Sequence, residues 1–244
     1  MSTKILSTTL AILFMALAFS PLLAVTTPAG GTELTGPGFA LIAAPIFGFN
    51  DHLQEAEDLR DYLLDNGWTD EQIIFLTDST ESYVDGDATK ENIEDALDDI
   101  ALLSGPGDLV FVAILDHAVE GEDGHTYFRT GDIGDPVYIK DSELDDWLDD
   151  IEDFSTMIVE ISSPYSGGFV QELKGQNRII IADCGASQTY TSCEYSFAQA
   201  LVEPLADEDQ NGQISVEEAY EYMEDTMVIQ DPVIYDHQKD TTYL

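Results

Sequence analysis

From Phe39 onward, apolar runs of strand length alternate with amphipathic stretches of helix length. That alternation constrains the fold more than any other feature, because it is the pattern of a mostly parallel sheet with helices packed on its faces. FALIAAPIF (39–47) and IIFLT (73–77) read as the first two strands. Between them HLQEAEDLRDYLLDNG places Leu53, Ala56, Leu59, Leu63 and Leu64 on one stripe and stops at Gly67. ATKENIEDALDDIALL repeats the scheme with Ile93, Ala96, Leu97 and Ile100. LVFVAIL (109–115) is the most continuous apolar run, so it is expected to be a central strand buried on both sides.

That run ends in DHAVEGEDG, and YFRTGDIGDPVYI follows as a small hairpin. Ser142 with Asp145 matches a capping box opening the helix DSELDDWLDDI. Then come the strand TMIVEI (156–161), a turn SSPYSGG, a helix over 167–173, the strand RIIIAD (178–183) and the helix EYSFAQALVEPL. Ser, Pro and Gly packed into one turn make a sharp strand exit, and such exits at the carboxyl edge of an α/β sheet are where ligands and reactive groups collect.

Residues 1–24 combine a basic start at Lys4 with an apolar core and small residues around Ala24, which reads as a secretory signal peptide. The same run left uncleaved would be a membrane anchor. Residues 25–38, rich in Thr, Gly and Pro, are a linker. The rest divides into an α/β domain (39–203), a helix-loop-helix segment (204–227) and a tail (228–244).

The chain carries 49 acidic residues against 8 basic ones, a formal charge of −41. A nucleic-acid partner is excluded, since a phosphate backbone needs a cationic footprint. Carboxylates this numerous repel one another, which suits a saline or cation-rich setting. The two cysteines, Cys184 and Cys193, are spaced for a local disulfide in an exported chain. They are not accompanied by the second ligand pair a zinc site requires.

DEDQNGQISVEE (207–218) fits a twelve-residue EF-hand loop. Asp207, Asp209 and Asn211 take the first, third and fifth places, and Gly212 makes the sharp turn. Gln213 offers its carbonyl, Ser215 stands ninth and Glu218 is the bidentate closer. The expected ligand is Ca2+, which takes six or more oxygens at about 2.3–2.6 Å. The hand is single, so a structural role is expected.

His117 follows one buried strand and SSPYSGG follows the next. On the blocks GPGDLVFVAILDHAVEGEDG and MIVEISSPYSGGFVQELKGQNRIIIAD the chain resembles the legumain and caspase-like cysteine peptidases. HLQEAEDLRDYLLDNGWTDEQIIFLTD is also similar to that family, and so is the EF-hand-like tail to that of some microbial members. The resemblance implies a caspase-like fold, with His117 at the catalytic base position and Pro164 at the nucleophile position. Proline has neither a nucleophile nor an N–H for an oxyanion. Ala118 stands where the family has a glycine.

The expected function is therefore a secreted, calcium-binding pseudopeptidase that binds a peptide or protein in a vestigial cleft or serves as a scaffold. A membrane association is expected only if the N-terminal segment is uncleaved. The alternative is an active hydrolase in which His117 serves Ser163, Ser166 or Cys184; alternation along the strand turns Ser163 away from His117. A purely structural exported module is the third reading. Arg129 is the best-placed arginine for a cationic pocket, and His52, His125 and His237 are expected at the surface.

Overall fold

The computed structural model describes residues 38–45, 51–132, 135–189, 196–237 and 241–244. The expected signal segment (1–24), nearly all of the expected linker and Cys193 lie outside them. In chain order the strands are β1 (Gly38–Ala44), β2 (Ile73–Thr77), β3 (Leu109–Leu115), β4 (Ala118–Glu120), β5 (Thr126–Asp132), β6 (Asp135–Lys140), β7 (Thr156–Ser162), β8 (Arg178–Ala182) and β9 (Val233–Asp236). The helices are α1 (Asp51–Asp65), α2 (Lys90–Leu103), α3 (Asp141–Asp149), α4 (Phe197–Val202) and α5 (Val216–Thr226).

Alternate residues of β3 enter two different cores. Val110, Val112 and Ile114 pack with Ile93, Ala96 and Leu97 of α2 and with Leu144 and Leu148 of α3. Leu109, Phe111, Ala113 and Leu115 pack with Leu59 and Leu63 of α1, Phe197 of α4 and Met223 of α5. The period of two along a strand thus sorts one apolar run onto both faces of a covered sheet. Each fully buried Leu, Ile or Phe contributes about 1.5–3 kcal/mol, so the sequence run is explained by what it fills.

The main sheet is six-stranded in the order β2-β1-β3-β7-β8-β9. All its pairs are parallel except β8 with β9. The fold is thus α/β, with a mixed, mostly parallel sheet flanked by helices. Strands β4, β5 and β6 form a separate antiparallel sheet beside it. From β1 the chain passes through α1 to β2 on one side, then through α2 on the opposite face to β3 on the other side. The carboxyl ends of β1 and β3 are therefore a topological switch point, the place where such sheets open a crevice.

Three local expectations are corrected. The helix expected over 167–173 is a 3-10 segment, Ser166–Gln171. The helix before the acidic loop is short, ending at Val202. The start of α3 does not use Ser142 with Asp145. Its N-cap is Lys140, whose N–H donates to Glu143 at 3.4 Å, while Lys90 of α2 donates to the same carboxylate at 2.6 Å. Asp145 is instead engaged by Arg178 at 3.0 Å. Among the described residues, no helix is long and apolar enough to cross a membrane.

Candidate functional site

Strands β3 and β7 run parallel with Leu115 opposite Ser162, so the turns after them leave the same sheet edge side by side. The first turn carries Asp116 and His117. Asp116 is buried, has φ of 142°, and donates its N–H to the Ser162 carbonyl at 2.9 Å. A non-glycine residue holds such a φ only where its surroundings fix it. The Asp116 carboxylate in turn meets Nδ1 of His117. The imidazole is about one-third exposed and stands edge-on to His52 of α1, with ring centroids 6.2 Å apart.

His52 is buried, contrary to the surface position expected for it, and its Nδ1 lies 3.3 Å from Glu55. Burial alone would lower its pKa. The hydrogen bond and charge of Glu55, with Asp116 beyond, outweigh burial and raise it. His125 is likewise tied inward, with Nδ1 2.7 Å from the buried carboxylate of Asp141. His237 is exposed, as expected.

The second turn spends its donors internally. Pro164 has no N–H. The N–H of Tyr165, in the left-handed region at φ 61°, goes to Gln188 at 2.7 Å. Those of Ser166, Gly167 and Gly168 go to Ser163, Cys184 and Tyr165 at 3.2, 2.8 and 2.8 Å. Gly167 is required by proximity, since a Cβ there would lie 2.7 Å from the Cys184 carbonyl and the Ala186 amide. The backbone of residues 164–168 therefore offers no unspent amide for a developing oxyanion.

The hydroxyl and thiol candidates are drawn together but not onto the imidazole. Ser162 donates to Glu55 of α1 at 3.1 Å, so alternation turns Ser163 to the opposite face. The Ser163 hydroxyl is buried and makes no hydrogen bond among the described residues. Ser166 Oγ lies 3.4 Å from Cys184 Sγ and accepts from the Cys184 N–H at 3.0 Å. Cys184 Sγ donates to the Ser163 carbonyl at 3.3 Å. Burial pushes this thiol's pKa up, with the Ser166 bonds pulling the other way. Cys184 is a free, buried cysteine; the expected partner, Cys193, lies outside the described residues.

Arg129 touches the histidine block through its backbone, its N–H donating to the His117 carbonyl at 2.9 Å. Arg178 is buried on Asp145 and Asp149 at 3.0 and 2.9 Å. Arg60 pairs with Asp70 and lies over the Tyr83 ring, 4.8 Å from its centroid.

Beneath this edge sits a group that the sequence reading did not single out. Glu55 of α1, Glu160 of β7 and Asp183 after β8 bring carboxylate oxygens within 4.8 Å of one another, all buried. Burial, then the charges of Asp183 and Glu55, push Glu160 well above the ordinary carboxylate pKa. Asp183 is raised by burial first and then by the charge of Glu55. The signal was present in the sequence as a lone acid inside each of two apolar runs, TMIVEI and RIIIAD.

The acidic loop places Asp207, Asp209 and Glu218 with oxygens within 4.8 Å of one another. Asp207 accepts from the N–H groups of Asn211 and Gly212 at 3.0 Å each. Asn211 Oδ1 accepts from the Gln213 N–H at 2.8 Å, and Gly212 has φ of 89°. Ser215 caps α5, accepting from the Glu218 N–H at 3.1 Å, while the Glu218 carboxylate accepts from the N–H groups of Ser215 at 2.9 Å and Asp209 at 3.2 Å.

No protein-family model matches the chain, and no curated protein matches it.

Proposed function

We propose that this chain is an exported, calcium-binding pseudopeptidase of legumain and caspase-like type, which holds a peptide or protein segment beside His117 without cleaving it. Pro164, in the turn that follows β7, carries the reading: covalent attack has no atom to start from there. The spent amides of Tyr165, Ser166, Gly167 and Gly168 support the same conclusion, because an intermediate formed there would gain no oxyanion donor from that turn.

Calcium belongs to the segment 204–227, where Asp207, Asp209, Asn211, Ser215 and Glu218 supply side-chain oxygens and Gln213 a carbonyl. The arrangement supports a structural ion tying α5 to the rest of the domain, whose Val216, Ala219 and Met223 face the core. Export rests on residues 1–24, and the charge of −41 fits a cation-rich exterior.

Labelling with serine-directed and thiol-directed covalent probes tests the reading. Intact-mass analysis of the folded chain is expected to show no adduct whose formation needs His117. An adduct on Ser163, Ser166 or Cys184 that disappears in His117→Ala would establish the active-hydrolase alternative instead.

A further inference from the structure

The buried carboxylates of Glu55, Glu160 and Asp183 need an account that neither the cleft nor the acidic loop supplies. Glu160 shares its face of β7 with Ile158 and Ser162, in register with Ile181 of β8 on one side and Ala113 of β3 on the other. Asp183 extends β8 on that same face, and Glu55 descends from α1 onto both. Glu160 and Asp183 are 0% exposed and Glu55 2%. Among the described residues, neither oxygen of Glu160, neither of Asp183 and not Oε1 of Glu55 has a hydrogen-bond partner.

A buried ionised carboxylate with no donor costs several kcal/mol. Glu160 and Asp183 are two such groups, and Glu55, bonded through Oε2 alone to Ser162 and His52, adds its charge to their mutual repulsion. Interiors tolerate this arrangement where a positive charge completes it. All the converging atoms are oxygens, and the Ser162 hydroxyl stands beside them, so the donor set suits a hard cation and not a thiolate- or imidazole-seeking metal. Oxygens up to 4.8 Å apart are the spacing that ligands on opposite sides of an ion take at about 2.4 Å each. Carboxylates that bind through both oxygens reach the six or more ligands calcium takes, whereas Mg2+ keeps several waters that a closed core does not admit.

We propose that Glu55, Glu160 and Asp183, with Ser162 at the rim, form a second calcium site, buried between α1 and the ends of β7 and β8. It is independent of the loop at 207–218 and makes no use of a substrate cleft. Its ion ties three elements of the α/β domain together from inside.

The test is calcium stoichiometry on the full chain, measured with Ca2+ as the only divalent ion in about 1 M NaCl, where the Debye length is about 3 Å and diffuse binding to surface carboxylates is suppressed. Elemental analysis after equilibrium dialysis is expected to find one ion fewer in Glu160→Gln/Asp183→Asn than in the wild type. The loop variant Asp207→Asn/Glu218→Gln is expected to keep the buried ion, with its affinity within about threefold of wild type. Loss of calcium from the loop variant with none lost from the core variant would overturn the buried site while leaving the loop intact. The reverse pattern would overturn the loop and leave this site standing. Should the core variant fail to fold, anomalous difference maps from wild-type crystals grown in Mn2+ decide. A peak among the three carboxylates is expected, and its absence would mean that protons alone neutralise them.

Discussion

Ser162 and Glu55 are joined across the β7–α1 interface by a hydrogen bond of 3.1 Å, the hydroxyl donating to the carboxylate. The next residue, Ser163, is buried on the opposite face with its hydroxyl unbonded. Two adjacent serines therefore have opposite energetics. Ser162→Ala removes the donor and leaves a buried carboxylate less satisfied, at a cost of about 1–3 kcal/mol. Ser163→Ala removes a hydroxyl that bonds nothing and is expected to leave stability unchanged or slightly higher. Urea midpoints of the two variants check the contrast; equal losses would contradict the assignment of faces.

The buried acids also set a pH dependence. In calcium-free buffer Glu160 and Asp183 hold protons more tightly folded than unfolded, since burial raises both. The folded state then binds more protons, so stability falls as pH rises. The contribution of these protons is fully present below the unfolded carboxylate pKa of about 4 and is lost as pH climbs from there toward the raised folded values. Denaturant midpoints measured from pH 4 upward in the presence of chelator are expected to decline more steeply in wild type than in Glu160→Gln. Parallel slopes would contradict the burial of an ionisable group at 160.

Arg178 is held by Asp145, Asp149 and the Leu173 carbonyl at 3.0, 2.9 and 3.3 Å, with its own side chain buried. Truncation to Ala strands Asp145 and opens a gap under β8, and about 3 kcal/mol of stability is expected to go with it. Arg178→Lys keeps a charge but loses the fork that reaches both acids, so it is expected to fall between the two. A thermal or urea melt ranks the three proteins.

At Gly212 nothing lies within 4 Å of a Cβ built on the backbone, yet φ is 89°. The penalty of Gly212→Ala is therefore conformational, about 1 kcal/mol, and Gly212→Asn is expected to cost less because Asn tolerates a left-handed backbone. Calcium at a hundredfold excess over the loop's own dissociation constant is expected to add about 2.7 kcal/mol through this loop, the share of the calcium increment that Glu218→Gln should remove. Melting temperatures with and without chelator measure both effects.

The sheet was legible because its strands are buried on both faces: continuous apolar runs such as 109–115 and 179–182 have no other simple reading. The turns at their ends followed from parallel pairing, which sets Leu115 opposite Ser162 and brings the turns carrying His117 and Pro164 out at one sheet edge. What escaped was set by partners far away in sequence. Glu143 is claimed by Lys90 of another helix, so a local capping box drawn from Ser142 and Asp145 failed. The inward stripe of α1 was expected to be Leu53, Ala56, Leu59, Leu63 and Leu64, but His52 and Glu55 are buried on it while Leu53 and Leu64 are only half-buried, because Glu55 meets Ser162 of β7 and His52 stands against His117 in the turn after β3. Glu160 and Asp183 each sit singly in an apolar run, and only the register of β7 with β8 reveals that they converge.

Cleavage of asparaginyl and aspartyl peptide reporters by wild type and by His117→Ala, both calcium-loaded, tests the central claim most directly. The two proteins are expected to give the same background rate. A wild-type rate that falls at least tenfold on loss of His117 would show that the imidazole serves a nucleophile after all, and would contradict the account.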